Sequence, residues 1–342
     1  MTDTAAPVGS HALDRARGAL TGLALGDALG MPTQSFSRAQ IMDRWGPVLD
    51  GLHPGPDDQP LAPGMPAGSV TDDTEQAVLV GHLLVEGHGH IDPAEFARRM
   101  VAWEDSMRAR GSLDLLGPST KAALARLLDG TPPSESGNAG TTNGAAMRVT
   151  PVGIATPPGD SLVDAVEQAS QLTHNTSVAL AGAAAVAAAV STGIDGGNVN
   201  DALQSAIEAA RVAATRGRWV AAADVATRLK HLAAHGPQVS TVGPDRFLGK
   251  IGALVGTSLA TQESVPAAFA VVLGAADDPW LALRLAASIG GDCDTIAAMA
   301  GAILGACFGV DAFPEEPRRV VAQVNDLNLD GLASDLLALR ER

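Results

Sequence analysis

Two short runs of acidic and hydroxyl residues are the part of this sequence best suited to chemistry. Each run supplies two carboxylates and one hydroxyl at the start of a predicted helix: Thr71, Asp72 and Asp73 in the first, and Asp292, Asp294 and Thr295 in the second. Carboxylate and hydroxyl oxygens are hard ligands that suit Mg²⁺ or Mn²⁺. Four carboxylates brought to one place would repel each other strongly without cations. The two runs together therefore favour a site for two hard metal ions.

Helix capping is the alternative explanation for each run. Asp72, followed three residues later by Glu75, fits a capping box. Asp292 and Asp294 fit an N-cap and an acid favoured by the helix dipole. In the first run, however, capping needs only one of the two acids, and the two runs together are stronger evidence than either run alone. No group of Cys and His residues in the sequence has the spacing of a zinc site.

Two further segments carry residues that could contact a ligand. The small residues of 140–148 would let backbone N–H groups approach a phosphate, although an ordinary surface loop has a similar composition. Arg148, at the end of this segment, could pair with a phosphate or with an internal carboxylate. His174 lies where one helical pattern ends and an Ala-rich one begins, so a capping or core role is the alternative to a functional one.

Helices must position all of these residues. Aromatic residues make up 3% of the chain and Tyr is absent, which favours the close packing of Ala-rich helices. No window alternates with period two between hairpin turns, so we predict an all-α single domain of about a dozen helices. Two long irregular segments, 46–69 and 130–144, interrupt the helical pattern and are expected to be functional or disordered.

The first helical pattern contains a row of glycines. They are spaced by four residues: Gly18, Gly22, Gly26 and Gly30. This spacing puts them on one ridge, where another helix backbone can approach closely. Asp27 lies within the same apolar run and needs a partner or a cation if it is buried. It is expected either behind the metal site or as a hydrogen bonder within its helix.

Charge, cysteines and local hydropathy limit the partners and the location. The net charge of −15 disfavours general binding to nucleic acids or to anionic membranes.

Cys293 and Cys307 lie too far apart along one predicted helix to form a disulfide, and unpaired thiols suit the cytoplasm. Residues 1–10 lack the features of a signal peptide and are predicted to be a disordered tail. The apolar stretch Val178–Val190 is too short to cross a bilayer and is predicted to be a buried core helix.

The order of these motifs resembles that of the ADP-ribosylglycohydrolase family. The similar stretches are Gly22–Gly30, Thr71–Thr74, Asn143–Arg148, Thr173–His174, Glu263–Pro266 and Gly290–Ile303. The resemblance implies an orthogonal helical bundle, here residues 11–342, around a cleft that binds two Mg²⁺ ions, with Mn²⁺ as an alternative. It also implies that the two acid runs are the metal ligands.

The resemblance further implies a set of substrate contacts. Asn143, Gly144, Ala145, Ala146 and Met147 would form the diphosphate cradle, His174 would contact the substrate, and Leu259 would line the adenosine side. Members of the family commonly carry Glu near the mouth of the metal cleft, whereas this chain has Gln34 at the corresponding position. Gln cannot act as a base, so either an aspartate serves alone with the metals, or the substrate differs, or the activity is weak.

The expected reaction is hydrolysis at the anomeric carbon of a ribose, releasing ADP-ribose from a modified protein or small molecule. Asp73 or Asp292 would accept the proton of the attacking water. The segment 46–69 could act as a lid. Two alternatives remain: an N-ribosidase acting on a smaller ribosyl compound, and a non-catalytic member of the fold that binds ADP-ribose or a protein.

Overall fold

The structure is a computed structural model that describes residues 8–109, 113 and 116–340. Within these ranges it contains nineteen α-helices, one 3-10 helix and no strand, which confirms the all-α prediction. The helices are α1 Val8–Gly30, α2 Arg38–Trp45, α3 Asp72–Glu86, α4 Pro93–Ala109, α5 Pro118–Leu128, α6 Pro133–Ser136, α7 Gly144–Met147, α8 Thr150–Ala155, α9 Asp160–His174, α10 Ser177–Ile194, α11 Val199–Ala213, α12 Val225–His235, α13 Val239–Val242, α14 Pro244–Leu254, α15 Thr261–Ala275, α16 Pro279–Ala287, α17 Cys293–Phe308, α18 Glu315–Asn325 and α19 Leu329–Arg340, with the 3-10 turn at Val310–Ala312.

The predicted number of helices was too low because several are very short. Helices α6, α7 and α13 have four residues each, and such single turns leave no periodic apolar pattern in a sequence. One of them, α7, falls in the segment predicted as a phosphate-binding loop. The segment 46–69, in contrast, contains no helix, as predicted.

The glycine ridge of α1 lies against α17, and the two backbones are in direct contact. A Cβ atom added to Gly22 would lie 2.1 Å from the carbonyl oxygen of Gly301. A Cβ atom added to Gly26 would lie 2.0 Å from the carbonyl oxygen of Ala297. At Gly30 the same atom would lie 2.3 Å from the Cα of Asp294. The ridge therefore allows a close approach, as predicted, and brings the end of α1 beside the second acid run.

The Ala-rich helix α10 lies in the centre of the protein. Its length of 18 residues and its apolar composition would suffice for a membrane span, but 94% of it is buried among other helices. The prediction of a core helix is confirmed, although the helix is longer than the apolar stretch that suggested it. Cys293 and Cys307 are both buried and unpaired in α17.

The first helix begins earlier than predicted. Helix α1 starts at Val8, so the last part of the expected tail, 1–10, belongs to this helix. Residues 1–7 lie outside the described residues, and the predicted disorder falls there.

The irregular segment 46–69 is anchored by the buried side chain of Gln59. Its Nε2 donates to the carbonyl oxygens of Met31, at 3.2 Å, and Gln34, at 3.1 Å. Its Oε1 accepts from the backbone N–H groups of Leu61 and Ala62. Movement of this segment as a lid would have to break these bonds, and the lid stays a prediction.

Candidate active site

The two acid runs meet in one cleft, with a volume of about 540 Å³. Helix α3 begins with the first run and α17 with the second. The sequence-predicted residues that line the cleft are Gln34, Asp72, Asn143, Gly144, Met147, Leu259, Asp292, Asp294 and Thr295. The other predicted residues, Thr71, Asp73, Ala145, Ala146 and His174, are buried behind this surface. The structure therefore brings both runs together. Some of the predicted residues line the cleft, and the others are buried behind the cleft wall.

A hydrogen bond joins the runs directly. The hydroxyl of Thr295 donates to Oδ2 of Asp73 at 3.2 Å. Burial raises the pKa of Asp73 well above its usual value, and the negative charge of Asp294 raises it further. Smaller contributions to this pKa come from three more carboxylates: Asp27, Asp72 and Asp292. The cleft is thus a concentration of negative charge, as expected from the sequence.

Asp27 fixes the start of α3 from behind. Its carboxylate accepts bonds from the backbone N–H and the hydroxyl of Thr71, at 3.0 and 2.8 Å. It also accepts from the N–H and the hydroxyl of Thr74, at 3.0 and 2.5 Å. Burial raises the pKa of Asp27 to about 6, although these bonds lower it. Of the two expectations for Asp27, the bonds favour a position behind the acid cluster over a bond within its own helix.

Asp292 is held at the cleft wall by contacts that the sequence did not indicate. The side-chain amide of Asn143 donates to Oδ2 of Asp292 at 2.5 Å and to the hydroxyl of Ser264 at 2.9 Å. The N–H of Asp292 donates to the carbonyl oxygen of Thr257 at 2.9 Å. Burial raises the pKa of Asp292 to about 6. Thr257 and Ser264 therefore position the candidate base, and only Ser264 lay within a stretch singled out in the sequence.

The predicted diphosphate cradle is a short helix supported by His174. A Cβ atom added to Gly144 would lie 2.9 Å from the Cε1 atom of His174. The His174 ring lies within hydrogen-bond distance of two hydroxyls, with Nε2 3.0 Å from Thr142 and Nδ1 2.8 Å from Thr173. Burial lowers the pKa of His174 well below its usual value. His174 thus supports α7 from below, and its direct contact with a substrate stays a prediction.

Arg148 faces the protein interior. Its guanidinium donates to the side-chain oxygen of Gln76 at 3.1 Å and to the hydroxyl of Thr173. Its Cζ atom lies 5.2 Å from the ring centre of Phe96. Burial lowers the pKa of Arg148 to about 10, and the negative charge of Asp72 opposes this shift. The hydrogen bonds of Arg148 thus go to Gln76 and Thr173, while Asp72 acts on it through its charge. Pairing of Arg148 with a phosphate stays a prediction.

The two acid runs offer oxygen donors for a metal ion, but not in a preformed arrangement. Among the described residues, no group of three or more His, Cys, Asp or Glu side chains is arranged so that it could hold one. The chemistry of the cluster nevertheless suits a hard cation, since all the side-chain donors of the two runs are oxygens. In addition, the buried Oδ1 of Asp73 has no hydrogen-bond partner, and a cation would compensate such an oxygen. The residue types fit magnesium, and the two-ion site stays a prediction.

Comparisons with known proteins match nearly the whole chain. A family model described as ADP-ribosylglycohydrolase matches residues 9–342. "Uncharacterized protein YegU" of Escherichia coli (strain K12) is 37% identical over 331 residues, which cover 96% of this chain and 98% of that protein. ADP-ribosylhydrolase ARH3 of Bos taurus is 28% identical over 328 residues, covering 90% and 88%. A solved structure, "ADP-ribosylglycohydrolase-related protein complex", is similar in fold, with a TM-score of 0.65, 23% identity and coverage of 96% and 99%.

Proposed function

Because the chain belongs to the ADP-ribosylglycohydrolase family, whose members are hydrolases of glycosidic bonds, we propose that it cleaves the bond between ADP-ribose and the group that carries it. The observation that carries this proposal is the meeting of the two acid runs in one cleft, joined by the bond from Thr295 to Asp73. The substrate is an ADP-ribosylated protein or small molecule.

Two magnesium ions are the proposed cofactors, with Mn²⁺ as an alternative. The proposed ligands are Thr71, Asp72, Asp73, Asp292, Asp294 and Thr295. When bound, magnesium supplies Lewis-acid polarisation and lowers the pKa of water. The hydroxyl of Thr71 donates to Asp27 and accepts the N–H of Asp73, so one lone pair remains available to a cation.

Exposure to the cleft favours Asp292 over Asp73 as the base. Asp292 lines the cleft, whereas Asp73 is fully buried behind it. Asp292 therefore accepts the proton of the attacking water, and Asp73 serves as a ligand. The amide of Asn143 donates to one oxygen of Asp292 and so fixes the orientation of the carboxylate that accepts the proton. The ribose passes through an oxocarbenium-like transition state, as in glycoside hydrolysis generally.

The remaining lining residues are assigned to the substrate. Asn143, Gly144 and Met147 face the cleft and would contact the diphosphate, while Ala145, Ala146 and His174 support them. Leu259 is half exposed at the rim and would cover the adenosine. The acidic surface is unsuited to general nucleic-acid binding, and the two unpaired cysteines suit a cytoplasmic location.

The test is the release of free ADP-ribose, followed by mass-resolved chromatography. The panel contains arginine, serine, O-acyl and nucleic-acid adducts, each with Mg²⁺, with Mn²⁺ and with a chelator. We expect release from at least one adduct with metal and none with chelator. Binding of ADP-ribose without release from any adduct would indicate a non-catalytic protein. Inhibition of the hydrolysis by free ribose, and not by free ADP-ribose, would indicate an N-ribosidase.

Gln34, which stands where members of the family commonly carry Glu, gives a testable prediction. Its side chain lines the cleft, is 4% exposed and has an Nε2 without a hydrogen-bond partner. A substrate oxygen would satisfy this donor, so we expect Gln34→Ala to lower kcat/KM about tenfold, in line with a lost hydrogen bond of about 1.4 kcal/mol. Gln34→Glu should also fall below the wild type, since Asp292 already supplies the base. A faster Glu variant would move the base to position 34 and refute the assignment of Asp292.

A further inference from the structure

Helices α12 and α14 form a groove on the outside of the protein, with a volume of about 380 Å³. Its apolar lining includes the buried side chains of Leu232 and Ile251 and the half-buried side chain of Val255. Leu254, which also lines it, is 77% exposed. A large apolar side chain this exposed beside an apolar groove is typical of a surface that contacts another molecule. We call this surface the α12–α14 groove.

The charge around the α12–α14 groove is opposite to that of the protein as a whole. Two cationic side chains, Arg228 and Lys250, line the groove, and its described lining residues include no carboxylate. One of the three lysines of the chain therefore lies in the groove, although the net charge of the chain is −15. The exposed rings of His231 and His235 stack at a centroid distance of 4.8 Å along the same rim. An acidic partner would be repelled by the average surface and attracted here.

The groove lies close to the active-site cleft. Leu254 and Val255 line the groove, and Ser258 and Leu259 line the cleft. The five peptide steps from Leu254 to Leu259 span at most about 18 Å when fully extended, so the two sites lie close together. A polypeptide segment of modest length can therefore reach both.

The connecting segment 255–262 is also tied to the chemistry. Arg228 of α12 donates to the carbonyl oxygens of Val255, at 3.0 Å, and Gln262, at 2.5 Å. Further along, Thr257 accepts the N–H of Asp292, and Leu259 accepts the N–H of Asn143, both at 2.9 Å. The segment 255–262, which connects the groove to the cleft, thus helps to position the candidate base, Asp292.

We propose that the α12–α14 groove binds an acidic segment, with an apolar side chain as its anchor, on the protein that carries the ADP-ribose. This inference rests on the proposed function, because it names the substrate as a protein and assigns the surface that recognises it. The apolar anchor contacts Leu254 and Ile251, and the acidic side chains face Lys250 and the histidine rim. The ADP-ribose of the same protein then reaches the cleft.

The first test compares one ADP-ribosylated acceptor protein before and after digestion to short peptides. We expect Leu254→Asp and Lys250→Glu to raise KM for the intact protein about tenfold, the effect of losing one anchor, and to leave the digested substrate unchanged. The matched control is Leu128→Asp, since Leu128 is 81% exposed at the end of α5 and lines neither site. Equal KM values for all three variants and the wild type would overturn the proposal.

A second test does not depend on hydrolysis. A fluorescein-labelled peptide of alternating glutamate and leucine serves as the probe, and its anisotropy is measured with the full chain at low and high salt. We expect salt-sensitive binding that Leu254→Asp weakens at least about tenfold and that Leu128→Asp leaves intact. If the panel shows no ADP-ribose release while this binding holds, the proposed function fails and the groove stands. If the probe does not bind, the groove fails independently of the activity.

Discussion

Replacing Asp292 by Asn is expected to lower kcat/KM for ADP-ribose release by about 10³-fold, the range of a lost general base. Asn has the shape of Asp but cannot accept the proton of the attacking water. Its side-chain oxygen can still accept the bond from Asn143, which the wild-type carboxylate receives at 2.5 Å. The loss should therefore appear in kcat rather than in folding, and it is measured with the adduct identified by the panel.

The metal provides a readout for the same variant that is separate from activity. Each bound magnesium ion, at 100 times its Kd, is expected to raise the free energy of unfolding of the wild type by about 2.7 kcal/mol. Asp292→Asn should reduce this increase, because a ligand is lost. It should also raise the unfolding temperature of the metal-free protein, since the charge of Asp292 contributes to the raised pKa of Asp73.

The control for Asp292→Asn is Asp43→Asn, the same change at an exposed position of α2. This variant should keep full activity and the full response to magnesium. An Asp292→Asn enzyme that retains more than a tenth of wild-type kcat would exclude Asp292 as the base. The reaction would then have to be assigned to another group in the cleft.

The sequence was most informative for those structural features that a single local pattern of residues is enough to predict. Thr71–Asp73 and Asp292–Thr295 each pair two acids with a hydroxyl at a helix start, and such matching sets of oxygen donors predict that the two runs share one site. The glycine ridge of α1 follows from its spacing of four. Both features are confirmed in the arrangement of α1, α3 and α17.

The partners of buried polar side chains could not be predicted in the same way. Asp27 accepts its bonds from residues 44 and 47 positions away, and Arg148 donates to residues 72 and 25 positions away. These contacts depend on how the helices pack, which no local pattern encodes. The bond from the N–H of Asp292 to the carbonyl oxygen of Thr257 is even harder to predict, because every residue type has a backbone carbonyl. Helix α7 was missed because four residues are too few to show a period.

The contact between α1 and α17 gives the second large prediction, Gly26→Ala. In most helix interiors this change stabilises a protein, because Ala is favoured over Gly by about 1 kcal/mol. Here the added Cβ would lie 2.0 Å from the carbonyl oxygen of Ala297, which is backbone and cannot rotate away. The two helices must separate, and we expect a net loss of about 2 kcal/mol or more in the free energy of unfolding, measured with urea.

The matched control is Gly249→Ala in α14, where an added Cβ would have no atom within 4 Å. This variant should gain about 0.5–1 kcal/mol, so the same substitution is expected to have opposite signs at the two positions. Gly26→Ala should also weaken the response to magnesium. Asp27 of α1 holds the first acid run through its bonds to Thr71 and Thr74, and α17 carries the second run, so separating α1 from α17 moves the two runs apart. Equal stabilisation of both variants would show that the backbones are not in contact and that the acid runs are held together by something other than the glycine ridge.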